Sequence, residues 1–239
     1  MKILNIVFLV FFSGFVSIHA SGNQKTASVS DRQSEKSVTT EEILKGIKES
    51  AKSYNHSIQD LTVKQITVFQ STVMGVMIIV KQIHFKRPDI IEQTEIKREE
   101  NLRSGVNMKL DEHISHTLFT ESLLSSLSPD DYHIHLIGKK TLNGRSAYLL
   151  KVKPKNKREN LIKGKLWIDT EDFALIRYEG NPLKLDNNSN GSGGKQLIKY
   201  AKINDKYWLP VLNRTKATWL LAIKLVNEIT YSGYEINTE

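Results

Sequence analysis

Two pairs of histidines and two pairs of carboxylates have the residue types and spacing to do chemistry in this 239-residue chain. His113 and His116 lie three apart in a stretch with helical periodicity, and His133 and His135 alternate along a strand-like run. Either pair could place two imidazole nitrogens on one metal ion. No acidic residue stands at a recognised ligand spacing beside them and no His-Glu-x-x-His pattern occurs, so they read as surface or locally satisfied histidines. Asp130-Asp131 and Glu171-Asp172 fall in turns, where carboxylates shape the backbone. Glycoside chemistry needs two carboxylates facing each other across a cleft, which sequence neighbours in a turn do not supply. A Gly-x-Ser-x-Gly elbow, a phosphate loop and a dinucleotide fingerprint are all missing from the sequence. The expectation is a protein that is not an enzyme, with no catalytic residue, metal ligand or cofactor.

The elements that must position these residues follow from periodicity. Thr39 and Glu42 form a capping box, and Ile43, Leu44, Ile47, Ala51 and Tyr54 then recur at helical spacing. Gly46 weakens that helix slightly. From Leu61 the period changes to extended, β-branched runs. The run from Gly75 to Phe85 is apolar on both faces, with Val76, Ile78 and Val80 on one and Met77, Ile79, Ile83 and Phe85 on the other. Such a strand is expected to be covered on both sides. Asp111 to Leu127 reads as a second amphipathic helix, stopped by Ser128-Pro129-Asp130-Asp131. About seven strands follow in meander order. Asn143-Gly144 is a strong hairpin signal, with further turns around Thr170-Glu171 and Asn204-Asp205, and Asn187 to Gly194 is a low-complexity loop.

The fold class expected is mainly β with helices: a curved antiparallel unclosed β-barrel, or half-barrel, with helices packed in its concave face. Three segments are expected: a signal peptide over residues 1–20, a flexible polar leader over 21–38, and one domain over 39–239. The start has a positive residue, an apolar run from Ile6 to Phe12 and a small residue at Ala20, the layout of a cleavable export signal. The localisation expected is therefore the periplasm. No cysteine is present, so the fold must rest on its own core without disulfides or a lipid-modified cysteine. Net charge is +8. The scattered lysines, densest from Lys151 to Asn160, read as a solvated face, with attraction to anionic headgroups or an acidic partner as the functional alternative. Nothing marks a nucleic-acid partner.

Apolar residues are what remain. Phe69, Met77, Ile79, Phe85, Leu118, Leu123, Leu166, Ile168, Ile176 and Trp219 are the candidate lining of a hydrophobic, ligand-binding cavity. Burying one methylene contributes about 0.8 kcal/mol, so an acyl chain of ~15 carbons supplies on the order of 10 kcal/mol without a polar contact. A carrier of this kind needs no catalytic group.

The stretch LWIDTEDFALIRYEGNP, preceded by NGRSAYLLKVKPKN and LSPDDYHIHLIGKKTLNGR, resembles the periplasmic outer-membrane lipoprotein carrier and lipoprotein-sorting superfamily. Lys86-Arg87-Pro88, Trp208-Leu209-Pro210 and the closing YSGYEIN add to the likeness, which runs from about Glu41 to Asn237. The resemblance implies an unclosed β-barrel whose hydrophobic cavity receives acyl chains. Its partners would be an acylated lipoprotein or lipid and a membrane-bound donor or acceptor protein, the carrier itself a monomer. The dedicated carriers place an arginine after the Phe-x-Gln-like end of the first strand, and this chain has Ser71 there. That departure favours an alternative, an envelope protein-binding or sensor module on the same fold.

Overall fold

The computed structural model describes residues 38–88, 90–103, 124, 127–156, 162–181, 194–219 and 222–238. The export signal, the polar leader and most of the Asp111–Leu127 segment therefore lie outside the described residues, as do Leu118, Leu123 and the side chain of Trp219.

Among the described residues, helix α1 (Thr40–Ser57) precedes ten strands. Thr39 Oγ1 accepts from the Glu42 amide at 3.2 Å, and the Thr39 amide donates to Glu42 Oε2 at 2.8 Å. This reciprocal cap satisfies two orphan groups at the first turn. Ile43, Leu44, Ile47 and Ala51 are buried along one stripe. The glycine at 46 has a packing reason that the sequence did not show. A Cβ there would stand 2.5 Å from the ring of Phe173, so the ring lies directly on the helix backbone.

The strands are β1 (Asp60–Ser71), β2 (Gly75–Lys86), β3 (Ile90–Leu102), β4 (Tyr132–Leu142), β5 (Arg145–Pro154), β6 (Gly164–Asp169), β7 (Leu175–Gly180), β8 (Lys195–Ile203), β9 (Tyr207–Trp219) and β10 (Ile223–Ile236). They form one antiparallel sheet in the order β3-β2-β1-β10-β9-β8-β7-β6-β5-β4, unclosed, with β3 and β4 at its edges. Every neighbour except the β1–β10 pair is consecutive in sequence. Local turn chemistry explains most of these pairings. Asn143 and Gly144 both have positive φ, 51° and 80°, as a two-residue turn between right-twisted strands requires. Asn204 and Asp205 turn the β8–β9 hairpin with φ of 50° and 51°, a region those two side chains tolerate. Edge strand β3 carries Glu92, Glu95, Lys97, Arg98, Glu99 and Glu100, and a charged edge resists pairing with another chain.

The largest apolar cluster packs α1 against β4–β9, with Leu124 and Leu127 buried in it. Three smaller clusters hold the β1, β2 and β10 side of the sheet. One expectation is corrected here. Only the Met77, Ile79, Ile83 and Phe85 face of β2 is buried; Val76, Ile78 and Val80 are half-exposed, shielded only by their neighbours. Their cross-strand partners, Gln70, Val68 and Ile66, supply that shielding within the sheet, so no second layer is needed.

Candidate ligand-binding site

Cross-strand partners share a face, so the registers define the sheet's two surfaces row by row. One row on the face that meets α1 runs through Met77, Phe69, Asn227, Thr215 and Gln196, then Gly180, Gly164, Val152 and Ile134. The next row runs from Ile79 through Thr67, Ile229, Asn213 and Ile198 to Tyr178, Leu166 and Leu150. The inner face is thus apolar at its two sides and carries amides along its middle strands.

Those amides are the unexpected part of the face. Gln65, Thr67, Lys81, Gln196 and Asn213 are all buried there. Gln196 Nε2 donates to Asn213 Oδ1 at 2.9 Å, and Gln65 Nε2 donates to Thr67 Oγ1 at 3.0 Å. Gln65 Oε1 and Asn227 Oδ1 are buried without a hydrogen-bond partner. A buried acceptor left unmade costs about 1–3 kcal/mol, so these oxygens mark places where the interior is not optimised for stability. Burial pushes the phenol of Tyr200 up, and Tyr231 beside it adds to the effect, so the hydroxyl stays neutral on this face. The two rows come together only through register, and no local pattern in the sequence signals them.

A cavity of about 750 Å³ opens where β5 and β7 end and where β6 and β8 begin. It lies on the outer face of the sheet: Lys151, Lys165, Glu179, Leu197 and Arg214 form one cross-strand row that alternates with the inner rows, over a floor at Val152, Gly164, Gly180 and Gln196. Gly164 and Gly180 face each other, and neither can carry a side chain. A Cβ on Gly164 would meet the Glu179 carbonyl at 2.2 Å, and one on Gly180 would meet the Tyr178 hydroxyl at 2.3 Å. Tyr178 reaches across this glycine floor to donate to the Asn181 carbonyl at 2.8 Å. Among the described residues the cavity wall is cationic, with Lys151, Lys153, Lys163, Lys165, Lys195, Arg214 and Lys216 against the carboxylate of Glu179. The Lys151–Asn160 run supplies Lys151 and Lys153; Lys163 just before β6, and β6, β8 and β9 themselves, bring the other cations.

The sequence-derived lining residues divide into groups. Phe69, Met77 and Ile79 cluster together beside Met74, Leu102 and Leu225. Phe85 packs separately with Ile58, Leu61, Tyr207 and Leu209. Leu166, Ile168 and Ile176 belong to the cluster under α1. None of these seven contributes to the cavity wall, which begins at the ends of the strands that carry the last group.

The carboxylates of the β6–β7 turn are structural. Asp169 is buried; its Oδ2 accepts from Arg145 Nε at 2.6 Å and its Oδ1 from Arg145 Nη2 at 3.1 Å. The same Oδ1 accepts from the Glu171 and Asp172 amides, each at 3.0 Å, and so organises the β6–β7 turn. Burial alone would raise its pKa, but Arg145 and the two amides outweigh that and hold the carboxyl below its usual range. Asp172 Oδ2 accepts from Lys202 Nζ at 2.7 Å and from Trp208 Nε1 at 2.9 Å. Arg145 lies over the Trp208 ring, 5.3 Å from its centroid. These contacts join β5, the turn, β8 and β9. His133 and His135 are exposed on edge strand β4, opposite Lys153 and Lys151. Among the described residues no group of three or more His, Cys, Asp or Glu could hold a metal ion.

The fold and site together define an open, single-sheet scaffold with a cavity at one end of its outer face. No protein-family model matches the chain, and no curated protein does. Among solved structures, a LolA superfamily protein from Nitrosomonas europaea is similar at 12% identity, covering 82% of this chain and 94% of that one, with a TM-score of 0.42. A DUF1329 family protein from Desulfovibrio piger is similar at 12% identity over 82% of this chain and 93% of its own, with a TM-score of 0.38. The lipoprotein LppX from Mycobacterium tuberculosis is similar at 10% identity over 84% of this chain and 98% of its own, with a TM-score of 0.25. At these values none of the three assigns a function to this chain.

Proposed function

We propose that this chain is a periplasmic lipid- or lipoprotein-binding carrier that shelters acyl chains along the inner face of its open sheet and takes part in lipoprotein sorting to the outer membrane. The observation that carries the reading is the inner face itself: apolar clusters line both sides of the open sheet, and the Gln65 and Asn227 oxygens are buried there without a hydrogen-bond partner. Acyl chains lie between α1 and the sheet, toward Leu166, Ile168 and Ile176. The second apolar group, Phe69, Met77, Ile79 and Phe85, with Leu118, Leu123 and Trp219, extends the path.

The test is mass spectrometry of organic extracts of the purified full chain, with displacement of a fluorescent fatty acid by a short-chain diacylglycerol. Co-purifying lipid and saturable displacement are expected. A protein that carries no lipid and shows no displacement would remove the carrier reading. One observation favours the alternative of an envelope protein-binding module. Ser71 Oγ accepts from the Val73 and Met74 amides at 3.3 and 3.2 Å, so this position caps the β1–β2 turn and reaches no helix. One stoichiometric protein partner, captured with no lipid on the inner face, would support that alternative.

A further inference from the structure

We propose that the cavity on the outer face of β5–β9 is a docking trough for an acidic polypeptide segment in extended conformation; it lies on the face opposite the proposed lipid path and does not depend on the carrier reading. Two cross-strand rows form its walls. Lys151, Lys165, Glu179, Leu197 and Arg214 stand in register across the strands. Two positions away from each of these, Lys153, Lys163, Asn181, Lys195 and Lys216 make the second row. Lys195 stands opposite Lys216 there, and the Asn181 amide donates to the Lys163 carbonyl at 3.0 Å. At the usual strand dimensions the rows are about 7 Å apart and the trough is about 19 Å long. That length takes about six residues of extended chain. Successive side chains of such a chain point to opposite sides, so it would face both walls at once.

Charge selects the occupant. Arg177 pairs with Glu179 and Arg214 with Glu228, which removes the described carboxylate and guanidinium of the wall from the balance. Six ammonium groups remain, on Lys151, Lys153, Lys163, Lys165, Lys195 and Lys216, with no ion pair to any described residue. All six are exposed, so each is free to swing toward a ligand. The adjacent row sets Arg177 opposite Lys199, so the cationic character continues past the trough and steers acidic chains toward it. Leu197 is half-exposed within the first row, an apolar spot that one aliphatic side chain among the acids would cover. Two other polyanions fit less well. A flat bilayer would meet only the lysine tips and leave the recess empty. A nucleic-acid strand stacks its bases on aromatic rings. None of the described wall residues is aromatic, and Trp167 in the adjacent row already has Arg177 over its ring, 5.1 Å from the centroid.

The experiment titrates the full chain into a labelled octapeptide of glutamate with one central leucine, read by fluorescence anisotropy at low and high salt. Its glutamine counterpart, a single-stranded oligothymidylate of equal charge and vesicles containing phosphatidylglycerol are run beside it. The glutamate peptide is expected to bind ~10-fold more tightly than the glutamine one, with the ratio shrinking as salt screens the walls. Lys151→Gln with Lys165→Gln, and separately Lys195→Gln with Lys216→Gln, should each weaken it ~10-fold at low salt. Lys45→Gln with Lys48→Gln removes the same charge from α1 and should change it by less than about 2-fold. Leu197→Ser should weaken the leucine-bearing peptide ~3-fold and leave an all-glutamate peptide unchanged. Equal affinity for the glutamate and glutamine peptides, or a loss in the α1 variant as large as in the trough variants, overturns the site. Tighter binding of the oligothymidylate or the vesicles, with the same lysine dependence, overturns the assignment to a polypeptide. None of these outcomes moves the carrier reading, which is decided by co-purifying lipid.

Discussion

Replacing Asp169 tests the central claim about the β6–β7 hairpin, that its aspartate is a turn organiser and ion-pair partner and not a reactive group. Alanine removes four hydrogen bonds: two from Arg145 and one each from the Glu171 and Asp172 amides. The two amide bonds contribute about 1 kcal/mol each, and those to a charged partner about 1.5–3 kcal/mol each in full burial. Arg145 is 37% exposed and keeps Glu171 within 3.3 Å, so it rehydrates and re-pairs, and its share is discounted strongly. The sum is ~3 kcal/mol for Asp169→Ala, and ~1.5 kcal/mol for Asp169→Asn, which keeps an oxygen for the amides. With a urea slope of ~2 kcal/mol/M, the midpoints should fall by ~1.5 M and ~0.7 M. Tryptophan fluorescence reports the transition, since Trp167 and Trp208 flank the turn. The pH dependence has a definite sign. The folded carboxyl titrates below its ordinary 3.8, so its contribution is complete above that value and is lost as pH falls through the depressed folded value. The gap between wild type and Asp169→Asn should therefore be flat near neutrality and close only in acid. An Asp169→Ala protein within about 0.5 kcal/mol of wild type would refute the reasoning, because that is the scatter of an unimportant surface change.

Two further substitutions are informative. Gly46→Ala ordinarily stabilises a helix by up to about 1 kcal/mol, but here it should destabilise by ~1–3 kcal/mol because the new methyl meets the Phe173 ring. Thermal melts of Gly46→Ala in the wild-type and Phe173→Ala backgrounds check this: the penalty should vanish in the second, and its persistence there would locate the strain elsewhere. Gln65→Leu should raise stability by ~1 kcal/mol, since it removes a buried carbonyl oxygen that has no partner at the expense of one bond to Thr67. A fall in the urea midpoint would show that the amide is satisfied in solution.

How much of this was legible in the sequence depended on how local each cause was. The α1 capping box, the alternation in β1 and the hairpin turns at Asn143-Gly144 and Asn204-Asp205 are set by residues within a few positions of one another, and pattern alone located them. The β1–β10 pairing is not local, and it creates half of the inner face. For the same reason the amides at Gln65, Asn213 and Asn227 looked like ordinary surface residues until register placed them together. Lys81 shows the limit well: it interrupts the apolar side of β2 and reads as exposed, yet it is buried opposite Gln65. The cavity was illegible because its cations come from four strands, and only the Lys151–Asn160 run was dense enough to notice. Met77, Leu166 and Ile168 stood out as greasy, but hydrophobicity does not distinguish a packed wall from an open one.

The seam between β1 and β10 bears on how the molecule comes to be made. Leu61 pairs with Ile236 and Ser71 with Leu225, so a strand synthesised early must wait for one synthesised near the end. The first three strands can zip as hairpins while the ribosome is still at work, but β1 then offers a bare row of amides and carbonyls for as long as translation continues. Such distant closure is slow, and it leaves the nascent chain open to capture by any other extended peptide. An escort that holds this edge until the last strand arrives would therefore govern the yield of folded protein more than any change to the hairpins would.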